Sequence, residues 1–282
     1  MTLERLHDLP RPLAFVLPGG GALGAWQVGI LKALTEQHVR PDLLIGVSAG
    51  AVNASLFAWN GDLDGLRRLE HIWRTIRRRD LMRMHPGRIA LAVSGRRPSF
   101  LDNRHGEAFL RRHLGHRQIE DAPIALALVA TDLATGRPVT LTRGDATSAV
   151  VASSAFPGVY PPVIRDGRTL IDGGVVADVP LDIAVELGAR SAVVISVPAL
   201  AAGDPPTRAI DILFRASTWG VEAHGRTTLA RPPEGLQVVE IPTPESMITT
   251  FSVGRTAQTI DDAHRHTSLW LAGLIPGSAP PR

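Results

Sequence analysis

The chain has 282 residues, long enough for one large α/β domain, and its 44% apolar content supports a sizeable core. It contains no cysteine, which excludes disulfides, thiolate zinc sites and a cysteine nucleophile. The formal charge is +3, and Lys32 is the single lysine. A basic content made almost wholly of arginine is by itself no nucleic-acid signature, and no nucleic-acid partner is expected. The N-terminal MTLERLHDLPRP has no signal-peptide core. No apolar run approaches the ~20 residues of a membrane span. A cytoplasmic chain is expected, at most peripherally membrane-associated.

In chain order, Leu13–Leu17 is a short apolar run after two prolines and reads as a buried strand. Residues 22–37 read as a helix, Asp42–Gly46 as a second strand and Ala49–Trp59 as a second helix. Strand–turn–helix twice over is the grammar of a mostly parallel central sheet flanked by helices on both faces. Asp62 is a capping residue for the next helix, which sets Leu66, Leu69, Ile72, Trp73 and Ile76 on one face. Regular pattern fades over 81–104, as in a loop, cap or lid, and His105–Leu114 reads as a short helix. Ile124–Ala130 is a strongly apolar strand, with Arg137–Thr142 alternating as if paired nearby. Val150–Phe156 runs into Pro157, and Tyr160-Pro161-Pro162 forces an extended chain.

Leu170–Gly174 is a strand end entering a turn. Pro180–Leu187 reads as a helix stopped by Gly188, and Ala192–Val197 as another buried strand. A loop at 199–206, a helix at 210–229, a strand at 236–241 and a helix at 253–274 follow, and 276–282 should fray. There is no internal repeat and no clear linker, so 1–282 reads as a single domain with a helical extension at 201–275.

Two glycine-rich turns lie close together: Gly19-Gly20-Gly21-Ala22-Leu23-Gly24 after the first strand and Gly46-Val47-Ser48-Ala49-Gly50 after the second. A serine hydroxyl needs a base for its proton and donors for the oxyanion that forms on attack. A sharp strand-to-helix turn exposes Ser48 to both, provided that its neighbours, here Gly46 and Gly50, are small. The competing reading is a β–α turn with an incidental serine.

The triple glycine matches the dinucleotide fingerprint G-x-G-x-x-G literally. That fold needs a carboxylate at the end of the second strand, whereas Asp42 sits before it. The alternative is that Gly19, Gly20 and Gly21 offer backbone N–H groups to an oxyanion. None of the ten histidines follows a predicted strand. His113 and His116 could form a metal pair with Glu107, but the spacing is not a recognised one; no metal and no cofactor is expected. Asp172 follows a strand and precedes Gly173-Gly174. There it reads either as a common Asp-Gly turn or as a carboxylate placed to take the serine proton directly.

These three motifs, in this order, resemble the patatin-like phospholipase family. The matching segments are LPGGGALGAWQVGILKAL (17–34), IGVSAGAVNA (45–54), VATDLATGRPV (129–139), ASSAFPGVYPPV (152–163) and IDGGVVADVP (171–180). The resemblance covers roughly residues 13–200. It implies a three-layer sandwich and a Ser–Asp dyad without histidine: Ser48 the nucleophile, Asp172 the base, and Gly19, Gly20 and Gly21 the oxyanion hole. Gly24, Gly46, Gly50, Gly173 and Gly174 support the turns. It implies hydrolysis of lipid or phospholipid acyl esters through an acyl-enzyme.

The sequence departs from many relatives at Leu23, where they carry Arg or Lys. The arginine-rich stretch 67–97 holds Ile72, Trp73 and Ile76 among its charges. It is either a helix with an inward apolar face or a contact surface for an anionic membrane. The rival functions are a histidine-dependent α/β-hydrolase-type esterase and a non-catalytic nucleotide- or lipid-binding module.

Overall fold

Eight strands form one mixed sheet in a computed structural model that describes residues 3–81, 86–201, 203–246 and 253–275. The strands are β1 (Leu13–Leu17), β2 (Leu43–Val47), β3 (Ala125–Asp132), β4 (Pro138–Leu141), β5 (Val163–Arg165), β6 (Arg168–Asp172), β7 (Ser191–Val194) and β8 (Gln237–Glu240). Their order is β5-β6-β3-β2-β1-β7-β8, with β4 also paired to β3. β1, β2, β3, β7 and β8 run parallel. β4, β5 and β6 add antiparallel pairings at the β3 end. The α/β architecture and the mostly parallel sheet agree with the sequence.

The helices are α1 (Leu3–His7), α2 (Gly24–Glu36), α3 (Ala49–Ala58), α4 (Leu63–Thr75), α5 (Arg78–Leu81), α6 (Pro86–Val93), α7 (Arg104–Leu114), α8 (Ala146–Ser153), α9 (Gly174–Ala177), α10 (Leu181–Glu186), α11 (Ala209–Ala230) and α12 (Thr256–Leu271). Alternation along the strands divides the core in two. Phe15, Leu44, Leu128 and Val193 face a large cluster built with α2, α3, α4, α7, α8 and α12. Ala14, Val16, Ile45 and Val129 face a smaller cluster closed by Leu181 and Ile183 of α10, with Leu229 of α11 packed against it. Helices therefore cover both faces, giving three layers.

Asp62 caps α4 as expected, accepting a hydrogen bond from Gly65 N at 2.8 Å. Ile72, Trp73 and Ile76 are buried, so the apolar stripe of α4 faces inward. Part of the stretch expected as a loop or lid is helical, in α6; residues 82–85 lie outside the described residues. α8 was not expected as a helix. Its N-terminus is capped by Asp145, which accepts from Ser148 N at 2.7 Å.

The described parts of 201–275 are woven into the fold rather than appended to it. β8 extends the sheet beside β7. α12 packs so closely on α2 that a Cβ on Gly29 would lie 2.4 Å from Ile260 O. The frayed tail expected at 276–282 lies outside the described residues.

Candidate active site

The register of β3 explains how distant segments meet. Val47, the last residue of β2, is opposite Val129, and Asp172, the last residue of β6, is opposite Ala130. β4 pairs with both Val129 and Ala130 and so occupies the other edge of β3. β2 and β6 therefore share one edge, run towards each other and stop head to head. Ser48 leaves the first of these ends and Asp172 forms the second.

Ser48 Oγ donates to Asp172 Oδ2 at 2.7 Å. Ser48 has φ 53° and ψ −117°, a strained conformation for a non-glycine residue that turns the chain sharply from β2 into α3. The turn closes so tightly that a Cβ on Gly50 would lie 1.9 Å from Leu17 O, and one on Gly46 would lie 2.6 Å from Ala51 Cα. Both glycines are thus required by close approach. A Cβ on Gly173 would lie 2.2 Å from Val129 O, so the turn after Asp172 is under the same constraint.

The end of α8 plugs the junction between the two strand ends. Ser48 N donates to Ser153 Oγ at 3.0 Å, and Ser153 Oγ donates to Val129 O at 2.6 Å. Ser154 Oγ donates to Ser48 O at 3.1 Å, while Asp172 N and Gly173 N donate to Ala155 O and Ser153 O. Ser153 and Ser154 had no assigned role in the sequence reading; the one signal for them was the small-residue run ASSA inside a matching segment.

Asp172 is 3% exposed, and its Oδ1 accepts from Gly174 N at 2.8 Å. Burial pushes its carboxyl up to about 6, while the hydrogen bonds from Ser48 and Gly174 hold it down. It is a stronger base than an exposed aspartate and still largely ionised at neutral pH.

The first glycine turn lies beside the second, because β1 and β2 are adjacent and parallel. Gly20 (φ 153°) and Gly21 (φ 56°) occupy backbone conformations that favour glycine. Among the described residues no backbone acceptor engages the N–H of Gly20 or Gly21. Gly19 differs: its N–H donates to Asp178 Oδ1 at 2.8 Å.

A buried polar network holds this turn from behind. Gln27 Nε2 donates to Pro18 O at 2.8 Å and to Ile195 O at 3.1 Å. Asn53 Nδ2 donates to Gly24 O and to Gln27 Oε1, each at 2.8 Å, and Trp73 Nε1 donates to Asn53 Oδ1 at 2.7 Å.

Gly19–Leu23, Ser48, Asp172, Gly174 and Asp178 line a cavity of about 270 Å³. Its other walls are mostly apolar, with Ile72, Trp73 and Ile76, Phe109 and Leu110 of α7, and Phe156, Phe214 and Val221, and they also include Glu107 and Glu222. Leu23, at the position where many relatives are basic, is buried and contributes to this lining.

No histidine lines the cavity among the described residues. His113 packs against Phe109, and His116 lies beside Arg111. No group of three potential metal ligands occurs among the described residues. Asp42 accepts from Leu13 N at 2.7 Å and pairs with Arg11 at 2.6 Å. It therefore ties down the start of β1, at the end of the sheet away from the glycine turns. No helix among the described residues is long and apolar enough to cross a membrane.

The chain is 34% identical over 169 residues to an uncharacterized NTE family protein of Mycobacterium bovis, covering 60% of this chain and 44% of that one. It is 31% identical over 187 residues to patatin-like phospholipase domain-containing protein 7 of Rattus norvegicus, covering 66% of this chain and 13% of that one. It is 28% identical over 187 residues to lysophospholipase nte1 of Aspergillus terreus, covering 64% and 11%. The chain thus spans less than half the length of these curated relatives. Among solved structures, VipD from Legionella pneumophila superposes with a TM-score of 0.46 at 14% identity, covering 94% of this chain and 67% of that one. The patatin-like phospholipase family model matches residues 15–185, which include both glycine turns, Ser48, Asp172 and Asp178. With more than half of its length matched, and with the matched segment carrying the whole constellation at the strand ends, the chain belongs to the patatin-like phospholipase family.

Proposed function

We propose that the protein is a serine acyl hydrolase that cleaves lipid or phospholipid acyl esters through a Ser48–Asp172 dyad. The observation that carries this reading is the 2.7 Å hydrogen bond from Ser48 Oγ to a buried Asp172 at the floor of an apolar cavity. Family membership supports the ester chemistry, and the relative named a lysophospholipase supports a lipid substrate.

In the first step Ser48 Oγ attacks the ester carbonyl as its proton passes to Asp172 Oδ2. The negative charge moves to the carbonyl oxygen, where the free N–H groups of Gly20 and Gly21 receive it. The tetrahedral species collapses, the ester C–O bond breaks, and Asp172 returns the proton to the leaving alcohol. In the second step water gives a proton to Asp172 and attacks the acyl-Ser48 carbonyl. The acid leaves and Ser48 recovers its proton. The apolar walls hold the acyl chain and exclude bulk water, which strengthens the polar interactions at the cavity floor. No cofactor enters this scheme.

Peripheral contact of the 67–97 region with an anionic membrane belongs to the same proposal in reduced form. The apolar face of α4 is turned inward. Exposed Leu91 and Val93 at the end of α6, followed by exposed Arg96 and Arg97, are the part of this region that remains suited to a lipid surface. Binding to vesicles containing anionic lipid should weaken with salt and with Arg96→Ala/Arg97→Ala; binding indifferent to both removes this contact from the account.

The test of the activity is hydrolysis of short- and long-chain p-nitrophenyl esters by the wild type and Ser48→Ala. Turnover that vanishes in the variant and improves with chain length supports a lipid acyl hydrolase. Equal turnover by both proteins overturns it.

A further inference from the structure

One half-buried carboxyl at the cavity is not used by the dyad. Asp178 follows α9, and its Oδ1 accepts the Gly19 N–H at 2.8 Å. The carbonyl of the same Pro18–Gly19 peptide accepts from Gln27 Nε2, also at 2.8 Å. This peptide is therefore clamped on both edges, immediately before two cavity-lining glycines whose N–H groups engage no backbone acceptor among the described residues. The space around the carboxyl is made by glycines: a Cβ on Gly19 would lie 3.0 Å from Asp178 Oδ1, and one on Gly174 would lie 3.3 Å from it. That same Gly174 atom would lie 3.2 Å from Asp172 Oδ1, so the two carboxyls flank one small gap.

We propose that Asp178 is a positioning residue for the oxyanion turn: it takes the Gly19 N–H out of use and fixes the following two peptides so that Gly20 and Gly21 donate to the oxyanion. The proposal rests on the hydrolase reading above. It separates two properties of the side chain. The acceptor oxygen orients the turn, and an asparagine keeps it. The negative charge is not needed for this, and an asparagine removes it.

The groups facing Asp178 are Asp172 at the end of β6, Glu222 on α11 and the Gly19 N–H. Arg226 lies further out, 3.8 Å from Glu222. Burial, with Asp172 and Glu222 adding to it, pushes Asp178 up to about 7 against the pull of Gly19. Asp172, the lower of the two, therefore ionises first, and Asp178 titrates beside its charge.

The experiment compares full-length wild type, Asp178→Ala and Asp178→Asn for kcat and KM across pH 5–9, and follows the Gly19 amide proton by NMR. For Asp178→Ala, kcat is expected to fall about tenfold or more with KM changed less than about threefold, because the donors lose their orientation. For Asp178→Asn, kcat is expected to recover to within about threefold of wild type at pH 8. The acid limb of its profile stays where it is in wild type, since Asp172 ionises before Asp178 and an asparagine is as uncharged as the protonated Asp178 it replaces. The Gly19 amide proton is expected far downfield in wild type and Asp178→Asn and shifted upfield in Asp178→Ala. A folded Asp178→Ala with wild-type kcat overturns the proposal and leaves the hydrolase reading intact. So does an Asp178→Asn as impaired as the alanine variant. A folded wild type that neither turns over esters nor reacts with a fluorophosphonate at Ser48 overturns the hydrolase reading and the proposal with it.

Discussion

Ser48 and Asp172 are separated by 124 positions in the chain and meet because β2 and β6 abut along one edge of β3. A serine leaving a parallel strand and a carboxylate ending an antiparallel one are brought together by strand register. Ser153 and the small residues after it fill the gap between the two ends.

The acid limb of kcat/KM should report Asp172. The carboxyl must be ionised to accept the Ser48 proton, and burial raises it to about 6. Activity is expected to climb with pH through a midpoint near that value. A midpoint near 4, the range of an exposed aspartate, would separate activity from this buried group.

Asp172 should also lower stability while it serves the reaction. Its folded-state pKa lies above the ~3.9 of an unfolded aspartate, so the folded protein holds this proton more tightly. The cost of the buried charge is absent below about 4, grows between about 4 and 6, and is complete above. Asp172→Asn is therefore expected to stabilise the fold at pH 8 by on the order of 2 kcal/mol, with the gain shrinking towards pH 4. Thermal unfolding at both pH values checks this; destabilisation at pH 8 contradicts it.

The network behind the glycine turn gives a third expectation. Asn53→Leu strands the Trp73 Nε1 donor and the Gln27 Oε1 acceptor in a buried site. A loss on the order of 3 kcal/mol in chemical denaturation is expected, together with reduced kcat. A variant of unchanged stability would show that the network does not hold the turn.

Charge in the cavity bears on substrate choice. Glu107, Asp172, Asp178 and Glu222 contribute to its lining, and no arginine, lysine or histidine does among the described residues. Neutral or zwitterionic esters should be turned over in preference to esters carrying an added carboxylate close to the scissile bond. The ratio of kcat/KM for such a pair, measured at low and high salt, tests this. A preference for the anionic ester reverses the expectation.

Much of the site was legible in the sequence, because close backbone approach leaves a glycine signature. Gly46, Gly50 and Gly173 each sit where a Cβ would meet backbone, and those constraints mark the turns that carry Ser48 and Asp172. The parallel strands were legible as short apolar runs. The head-to-head meeting of β2 and β6 was not, since pairing register leaves no local pattern. Asp178 was hidden for a related reason. Its partner is a backbone N–H 159 positions away, and any acidic residue near a turn looks much the same. α11 was predicted as a helix, but nothing local told that Phe214 and Val221 would wall the cavity.

The most direct test of the dyad is the rate and position of fluorophosphonate modification, followed by peptide mass spectrometry in wild type and Asp172→Asn. One adduct per chain on Ser48, forming at least a hundredfold more slowly in Asp172→Asn at pH 8, is the expected result. An adduct on another residue, or wild-type labelling of Ser48 without the Asp172 carboxylate, would contradict it.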